Sequence, residues 1–130
     1  MKNLYKKAFL TLASSFLLAA AHAQSVLEDV VNAVRNSNTA TLEKYYDNIV
    51  PITINNTQSA YSRTQASLVL KDFFSKNVPK DVTILNSGSA TANSQFAIGT
   101  LTTNTGTFNL YILLKSKDNI FLLQEIRLNK

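Results

Sequence analysis

Apolar residues recur at helical spacing in the first half of the chain. The clearest stripe comprises Ala66, Val69, Leu70, Phe73 and Phe74, spaced i, i+3, i+4, i+7 and i+8. That spacing places all five on one side of an α-helix. Ser62 and Gln65 stand in the capping-box positions before it, and Pro79 follows it. We therefore predict a helix from residue 63 to about Asn77.

Two helices are predicted earlier in the chain. The first covers residues 26–36, where four valines and a leucine repeat at helical spacing, and Ser25 with Glu28 forms its capping box. The second is short and is capped by Asn38 or Thr39. Its apolar side carries Leu42, Tyr45 and Tyr46.

The alternation typical of β-strands replaces the helical pattern from Val82 onward. Strands are predicted over residues 49–54, 82–87, 94–103, 107–115 and 120–128. Pro51 lacks an N–H group, so the first of these should be an edge strand or carry a bulge. The order is α-α-β-α-β-β-β-β, which predicts an α+β domain with helices packed on a curved antiparallel sheet.

The register of the last three strands decides which side chains face the core. A three-residue loop over Asn104–Gly106 would pair Thr103 with Thr107 and place Gly99 opposite Tyr111. In that register one face carries Phe96, Ile98, Leu110, Ile112 and Leu114, with Thr100 as its polar exception.

The last strand is predicted to present Gln124 to the same face, opposite Ile112, after a three-residue loop over residues 117–119. A two-residue turn would instead direct Glu125 and Arg127 towards the core. We prefer the first register because burying two charges is unfavourable, whereas burying aliphatic side chains stabilises the fold.

The first 23 residues have the composition of a secretory signal peptide. The n-region carries Lys2, Lys6 and Lys7. An uncharged run over residues 8–21 follows, and Ala21-His22-Ala23 matches the A-x-A cleavage pattern. The run is shorter than the roughly 20 residues that span a bilayer. We therefore expect cleavage after Ala23, export to the periplasm or the medium, no membrane anchor, and a single mature domain over residues 24–130.

Removal of this segment limits the chemistry of the mature chain. It takes away three of the 13 Lys and Arg residues and none of the 8 acids, which leaves a net charge of +2. The sole His and the sole Met also leave, and the chain has no Cys or Trp. Without an imidazole or a thiol, we expect no metal and no cofactor. The absence of a basic run argues against nucleic-acid binding.

Residues Gln95-Phe96-Ala97-Ile98-Gly99 resemble the Gln-x-Val-x-Gly motif of cystatins. In those inhibitors the motif occupies an exposed hairpin tip, and a Pro-Trp pair on a second loop assists it. Here Gly99 is predicted to lie mid-strand, and the chain has no Trp. A cystatin-like protease inhibitor is therefore the least favoured function.

Four sequence segments together are similar to a secreted bacteroidete family catalogued as domain of unknown function 4783. They are Tyr45–Ile54, Tyr61–Ala66, Gln95–Leu101 and Gln124–Arg127. The resemblance covers essentially the mature chain and implies export. The domain size and element order also resemble the cone-shaped nuclear-transport-factor-two-like fold. That resemblance implies a curved sheet around a pocket, with members that are enzymes, ligand binders or dimers.

The predicted pocket has Thr100 and Gln124 as polar groups. Its other candidates are Phe73, Phe96, Ile98 and Ile112 in the walls and Tyr46 at the mouth. These residues favour an exported, non-catalytic domain that binds a small apolar or amphipathic ligand. The rival interpretation is an isomerase or dehydratase with Tyr46 and Asp47 as acid and base.

The other face of the predicted sheet offers a surface for self-association. Leu101, Tyr111 and Leu113 are its apolar residues in the predicted register. Because an exposed apolar patch usually marks a contact, we expect a homodimer through this face as the alternative to ligand binding.

Export has a direct test. Mass spectrometry of the protein recovered from outside the cytoplasm should find Gln24 as the first residue, free or cyclised to pyroglutamate. A mature pool that retains residues 1–23 would contradict both the cleavage site and the net charge of +2.

Overall fold

The computed structural model describes residues 22–130, which form three helices and a six-stranded sheet. The described part of α1 spans residues 22–35. The other helices are α2 (Thr39–Glu43) and α3 (Arg63–Lys76). The strands are β1 (Ile49–Ile54), β2 (Thr57–Ser62), β3 (Pro79–Thr91), β4 (Ser94–Thr103), β5 (Gly106–Lys117) and β6 (Ile120–Asn129).

The α+β class and the predicted order of elements are confirmed, with β2 as an additional strand. The sheet order is β2-β1-β6-β5-β4-β3, and β1 pairs with β6 in parallel while the other pairs are antiparallel. β1 is thus an inner strand whose pairings show no bulge, so both predicted alternatives, an edge position or a bulge, were wrong. The ladder to β6 covers only Ile52–Ile54, so Pro51 lies outside it and its missing N–H removes no bond there.

Two of the three predicted helix caps are confirmed. The Ser62 and Gln65 capping box opens α3, and Asn77, the predicted end, is its C-cap. Asn38 caps α2 by accepting a hydrogen bond from the Thr41 N–H at 3.1 Å. The predicted cap at Ser25 was wrong, because Ser25 lies within the helical residues 22–35.

The β4–β5 hairpin has a two-residue turn, Asn104–Thr105, closed by the pair Thr103 and Gly106. The Thr103 hydroxyl donates to the Gly106 carbonyl oxygen at 2.8 Å and accepts from the Thr105 N–H at 3.2 Å. Gly106 has a φ of 132°, which a residue with a side chain rarely adopts. The predicted pairing of Thr103 with Thr107 was therefore wrong by one residue.

This slip reverses the two faces of β4. Gly99 pairs with Leu110 and not with Tyr111, while Ile98 pairs with Tyr111. The buried residues of β4 are Ala97, Gly99, Leu101 and Thr103. Phe96 and Ile98 lie on the other face, because alternate residues of a strand point to opposite sides. The prediction for β5 was correct, and Leu110, Ile112 and Leu114 are buried.

The turn before β6 has two residues, Asp118 and Asn119. Asp118 and Asn119 have φ values of 53° and 63°, as a type I′ turn requires, and Lys117 pairs with Ile120. The predicted three-residue loop over residues 117–119 was wrong.

A β-bulge keeps the charges of β6 out of the core despite that turn. The pairing with β5 shifts at Gln124, which is exposed, so Ile112 pairs with Ile126 and not with Gln124. The buried residues of β6 are Leu123, Ile126 and Leu128. Glu125 and Arg127 lie outside the core and form an ion pair with each other. Because of this one extra residue, an odd-numbered residue is buried before the bulge and even-numbered residues are buried after it.

One core cluster unites the inner face of the sheet with the buried sides of α1 and α3. Its fully buried members include Val30 and Val34 of α1 and Leu70 of α3. The small residues of β4 suit a close approach between strands: a Cβ on Gly99 would overlap the Thr83 carbonyl oxygen of β3 and lie 3.1 Å from the Cα of Ile84.

The two glycines of β3 and β4 should respond differently to alanine. Gly99→Ala should cost about 1–3 kcal/mol, because the new methyl group meets backbone atoms that cannot move aside. Gly88→Ala meets only the Phe96 ring, 3.9 Å away, and should be neutral or stabilising by up to about 1 kcal/mol. Denaturant unfolding of both variants is the measurement. Equal losses would show that Gly99 has no special contact with β3.

Candidate functional site

The residues predicted to line one pocket lie in different environments. Tyr46, Phe73 and Ile112 are buried in the core. Phe96, Ile98, Thr100 and Gln124 lie outside it. The slip of β4 and the bulge of β6 account for the separation, because both change the face on which a side chain lies. These seven residues therefore do not share a pocket.

A cleft of about 450 Å³ opens at the side of α3, next to the ends of β1, β5 and β6. Its lining comes from Ile54, Asn55, Leu68, Val69, Asp72, Phe73, Lys76, Asn77, Phe108 and Lys130. Of the predicted pocket residues, only Phe73 belongs to it. The cleft combines residues from four separate segments of the chain, 54–55, 68–77, 108 and 130, so no local sequence motif could have indicated it.

The floor of the cleft is aromatic. Phe73 of α3 and Phe108 of β5 meet edge to face, with ring centroids 5.0 Å apart and an interplanar angle of 75°. Both rings are buried, whereas Leu68 on the side of α3 is 61% exposed. An exposed leucine beside buried aromatic rings is an apolar surface open to a ligand.

The rim of the cleft carries two ammonium groups and one carboxylate. Lys76 pairs with Asp72 one turn earlier on α3, with Nζ 3.0 Å from Oδ2. Lys130 donates a hydrogen bond to the Thr105 carbonyl oxygen at 3.1 Å, and its Nζ lies 5.3 Å from the centroid of the Phe108 ring. The side chains at the rim thus carry a net charge of +1.

Hydrogen bonds tie Asn77, which lines the cleft, and its neighbour Val78 to the β4–β5 turn. Thr105 donates to the side-chain oxygen of Asn77 at 2.6 Å. Asn104 and Val78 exchange two hydrogen bonds, of 3.1 and 2.7 Å. These contacts join the end of α3 to the β4–β5 turn beside the cleft.

The opposite wall is tied in the same way to the end of β6. The Lys130 N–H donates to the side-chain oxygen of Asn55 at 3.1 Å, and the Asn56 N–H donates to that of Asn129 at 2.8 Å. Asn55 and Asn56 have φ values of 48° and 66° and form the two-residue turn between β1 and β2. The cleft is therefore framed by two turns that side-chain amides hold to neighbouring elements.

Tyr46 and Asp47 lie in different environments and do not form an acid–base pair. Tyr46 is 1% exposed, and its hydroxyl has no hydrogen-bond partner within residues 22–130. Burial raises the pKa of Tyr46 to about 12, the nearby Ser67 hydroxyl acts in the opposite direction, and the Glu43 carboxylate adds to the rise. Ser67 itself donates to Glu43.

Asp47 lies at the surface, where its carboxylate is 3.5 Å from Lys117 Nζ. The hydrogen bond from the Asn48 N–H, with a smaller effect of Lys117, lowers the pKa of Asp47 against the opposing effect of desolvation. A lowered pKa makes a carboxylate a weaker base. The geometry therefore gives no support to the isomerase or dehydratase interpretation.

Residues 22–130 contain no group of three His, Cys, Asp or Glu side chains that could hold a metal ion. Within the same residues, no helix is both long enough and apolar enough to cross a membrane. Gly99 lies mid-strand in β4 as predicted, so the Gln95–Gly99 segment does not form an exposed hairpin tip.

The outer face of the sheet carries a small apolar patch. Ile98 is 42% exposed, and Phe96, Tyr111 and Leu113 are half-buried around it. Tyr111 and Leu113 were predicted for this face, but Leu101 is buried in the core. The guanidinium of Arg127 lies 5.0 Å from the centroid of the Tyr111 ring and borders the patch.

Comparison with known families and structures identifies the relatives of this chain. The profile of the family described as "Domain of unknown function (DUF4783)" matches residues 27–129. Among curated proteins, none matches significantly.

Solved structures of the same family are similar throughout the domain. A DUF4783 protein from Bacteroides fragilis YCH46 is 31% identical with a TM-score of 0.73, and the match covers 78% of this chain and 95% of that one. One from Bacteroides ovatus ATCC 8483 is 27% identical with a TM-score of 0.74, over 78% and 92%. An NTF2-like protein of unknown function from Cytophaga hutchinsonii is 9% identical with a TM-score of 0.61, over 82% and 87%, which shows the fold alone.

The adjacent tyrosines Tyr45 and Tyr46 should differ in the effect of losing their hydroxyl groups. Tyr45 donates to Asp29 at 2.7 Å, so Tyr45→Phe should cost up to about 1 kcal/mol. Tyr46→Phe removes a buried hydroxyl that has no partner, so it should be neutral or stabilising. Denaturant unfolding at neutral pH distinguishes them, and a clear loss in Tyr46→Phe would reveal a hidden partner.

The pH dependence provides a second measurement. The pKa of Tyr46 is about 12 in the fold against 10.0 for a free tyrosine, so the fold favours the neutral phenol. This contribution is complete below pH 10 and is lost as the pH rises towards 12. Tyr46→Phe should therefore lose less stability than the wild type over that window. An unchanged slope would contradict the raised pKa.

Proposed function

The chain belongs to the DUF4783 family, and we propose that it is an exported, non-catalytic domain that binds a small amphipathic ligand in the cleft beside α3. The observation that carries the proposal is the aromatic floor of Phe73 and Phe108 beside the exposed Leu68, with lysines at the rim. The volume of the cleft, about 450 Å³, falls within the roughly 300–1,000 Å³ typical of small-molecule sites.

Side chains fill the space between the sheet and the helices, which supports a ligand site at the side of the domain and not in its interior. Tyr46, Phe108, Leu110 and Ile112 are each no more than 1% exposed and occupy the space between sheet and helices. A ligand in that space would have to displace packed side chains. The cleft is open already, and its hydrogen-bonded walls reduce the entropy that binding would cost.

The chemistry of the lining supports binding without catalysis. Among the residues of the described range 22–130 that line the cleft, Asp72 has the only carboxylate side chain, and it is paired with Lys76. An acid–base reaction needs two groups poised to exchange protons with a substrate. The lining supplies apolar contact and charge, which suit recognition. Export rests on the pattern of residues 1–23.

Self-association through the outer face of the sheet is the second candidate. The patch around Ile98 favours it, because an isoleucine 42% exposed among half-buried aromatic and leucine side chains loses contact with water when covered. Glu125 and Arg127 border the patch with opposite charges, so two copies related by a twofold axis could place each charge near its opposite.

Two substitutions separate these proposals. Leu68→Asp should abolish binding of an amphiphile such as decanol, measured by calorimetry, without changing the sedimentation coefficient. Ile98→Glu should lower the sedimentation coefficient of an associated form and leave decanol binding intact. Each variant is the control of the other.

Leu85→Asp is a further control for Leu68→Asp, since Leu85 is 68% exposed on β3 and outside the cleft. Neither leucine substitution should change stability by more than about 0.5 kcal/mol. Retention of binding in Leu68→Asp, or its loss in Leu85→Asp, would contradict the cleft as the ligand site.

A further inference from the structure

We propose that the ligand of this cleft is an anionic amphiphile whose single oxyanion head group lies between Lys76 and Lys130 and whose apolar tail covers Leu68 and the aromatic floor. This inference rests on the proposed ligand binding and names the chemical class of the ligand. A fatty carboxylate is the simplest member of that class.

The charges of the rim favour an anion. The two ammonium groups face one carboxylate, that of Asp72, which already pairs with Lys76 at 3.0 Å. Within residues 22–130, Lys130 forms no salt bridge, and the one hydrogen bond of its ammonium group is to the neutral Thr105 carbonyl. An oxyanion beside Lys130 would therefore meet a positive charge that no carboxylate side chain neutralises.

The position of Lys130 also sets the direction of the ligand. Its ammonium group lies over the face of Phe108, 5.3 Å from the ring centroid. Such a contact is worth only about 0.5–1 kcal/mol at an exposed site, so the ammonium can turn towards an anion at little cost. A head group bound there would leave the tail of the ligand against Phe73 and Leu68, which line the same cleft.

A cationic amphiphile is the competing class, because the aromatic floor and Asp72 would both attract it. The ring face of Phe108 is already covered by the ammonium of Lys130, and Asp72 is paired with Lys76. A second cation would have to displace one lysine from each partner and would then face two ammonium groups. The rim therefore disfavours cations.

The test compares three probes with the same alkyl chain: decanoate, decanol and decyltrimethylammonium. Each is titrated by calorimetry into the full mature protein below its micelle-forming concentration. Decanoate should bind more tightly than decanol, and decyltrimethylammonium should bind most weakly. The advantage of decanoate over decanol should shrink as salt is added, because salt screens partly exposed charges.

Charge variants give the sharper result. Lys130→Gln and Lys76→Gln should each weaken decanoate binding about two- to fivefold, the loss expected for a partly exposed ion pair, and leave decanol unchanged. Asp72→Asn should act in the opposite direction and tighten decanoate about two- to fivefold. Lys71→Gln is the matched control, since Lys71 is exposed on α3 outside the cleft lining. A structural disturbance of the cleft would not produce effects of opposite sign.

The outcomes distinguish ligand binding in the cleft from the preference for an anionic head group. If none of the three probes binds, ligand binding in the cleft is wrong and the anion preference falls with it. If decanol and decyltrimethylammonium bind as tightly as decanoate, the cleft is a ligand site and the anionic head group is wrong. Equal losses of decanoate affinity in Lys71→Gln and Lys130→Gln would also overturn the assignment, because they would reflect overall charge.

Discussion

The unbroken alternation of β5 is the constraint to which the rest of the sheet adjusts. Phe108, Leu110, Ile112 and Leu114 are each no more than 1% exposed, and all lie on the face that packs against the helices. Both neighbouring strands present apolar or small residues opposite Leu110 and Ile112. β4 does so with Gly99 and Ala97, and β6 does so with Leu128 and Ile126 only because it contains a bulge.

The bulge at Gln124 resolves a conflict between turn chemistry and burial. The Asp118–Asn119 turn suits a two-residue hairpin, since both residues adopt positive φ. A regular strand after that turn would direct Glu125 and Arg127 into the core. One unpaired residue shifts the parity, buries Ile126, and leaves both charges on the outer face. The exposed position of Gln124 is therefore the consequence of satisfying both demands.

The same packing moves the accessible apolar surface away from the interior of the cone. The side chains of β5 and Tyr46 fill the interior, whereas α3 packs Phe73 against Phe108 and leaves Leu68 exposed. Amide side chains tie the β4–β5 turn to the end of α3 and the β1–β2 turn to the end of β6. The turns that set strand register therefore also connect the elements around the cleft, and the residues that line the cleft lie far apart along the chain.

Local pattern in the sequence was sufficient for the elements whose signals lie within a few residues. The stripe and cap of α3, the bounds of β4 and the α+β order needed only helical and strand periodicity, because backbone geometry fixes those spacings. Faces and sites required contacts between distant residues. Gly99 faces the core because it pairs with Leu110 of β5, and Gln124 is exposed because β6 must match β5. A shift of one residue changes the register of a strand, and the packing of the whole sheet selects between the alternatives. The register, and therefore the position of the cleft, could be determined only from the tertiary structure.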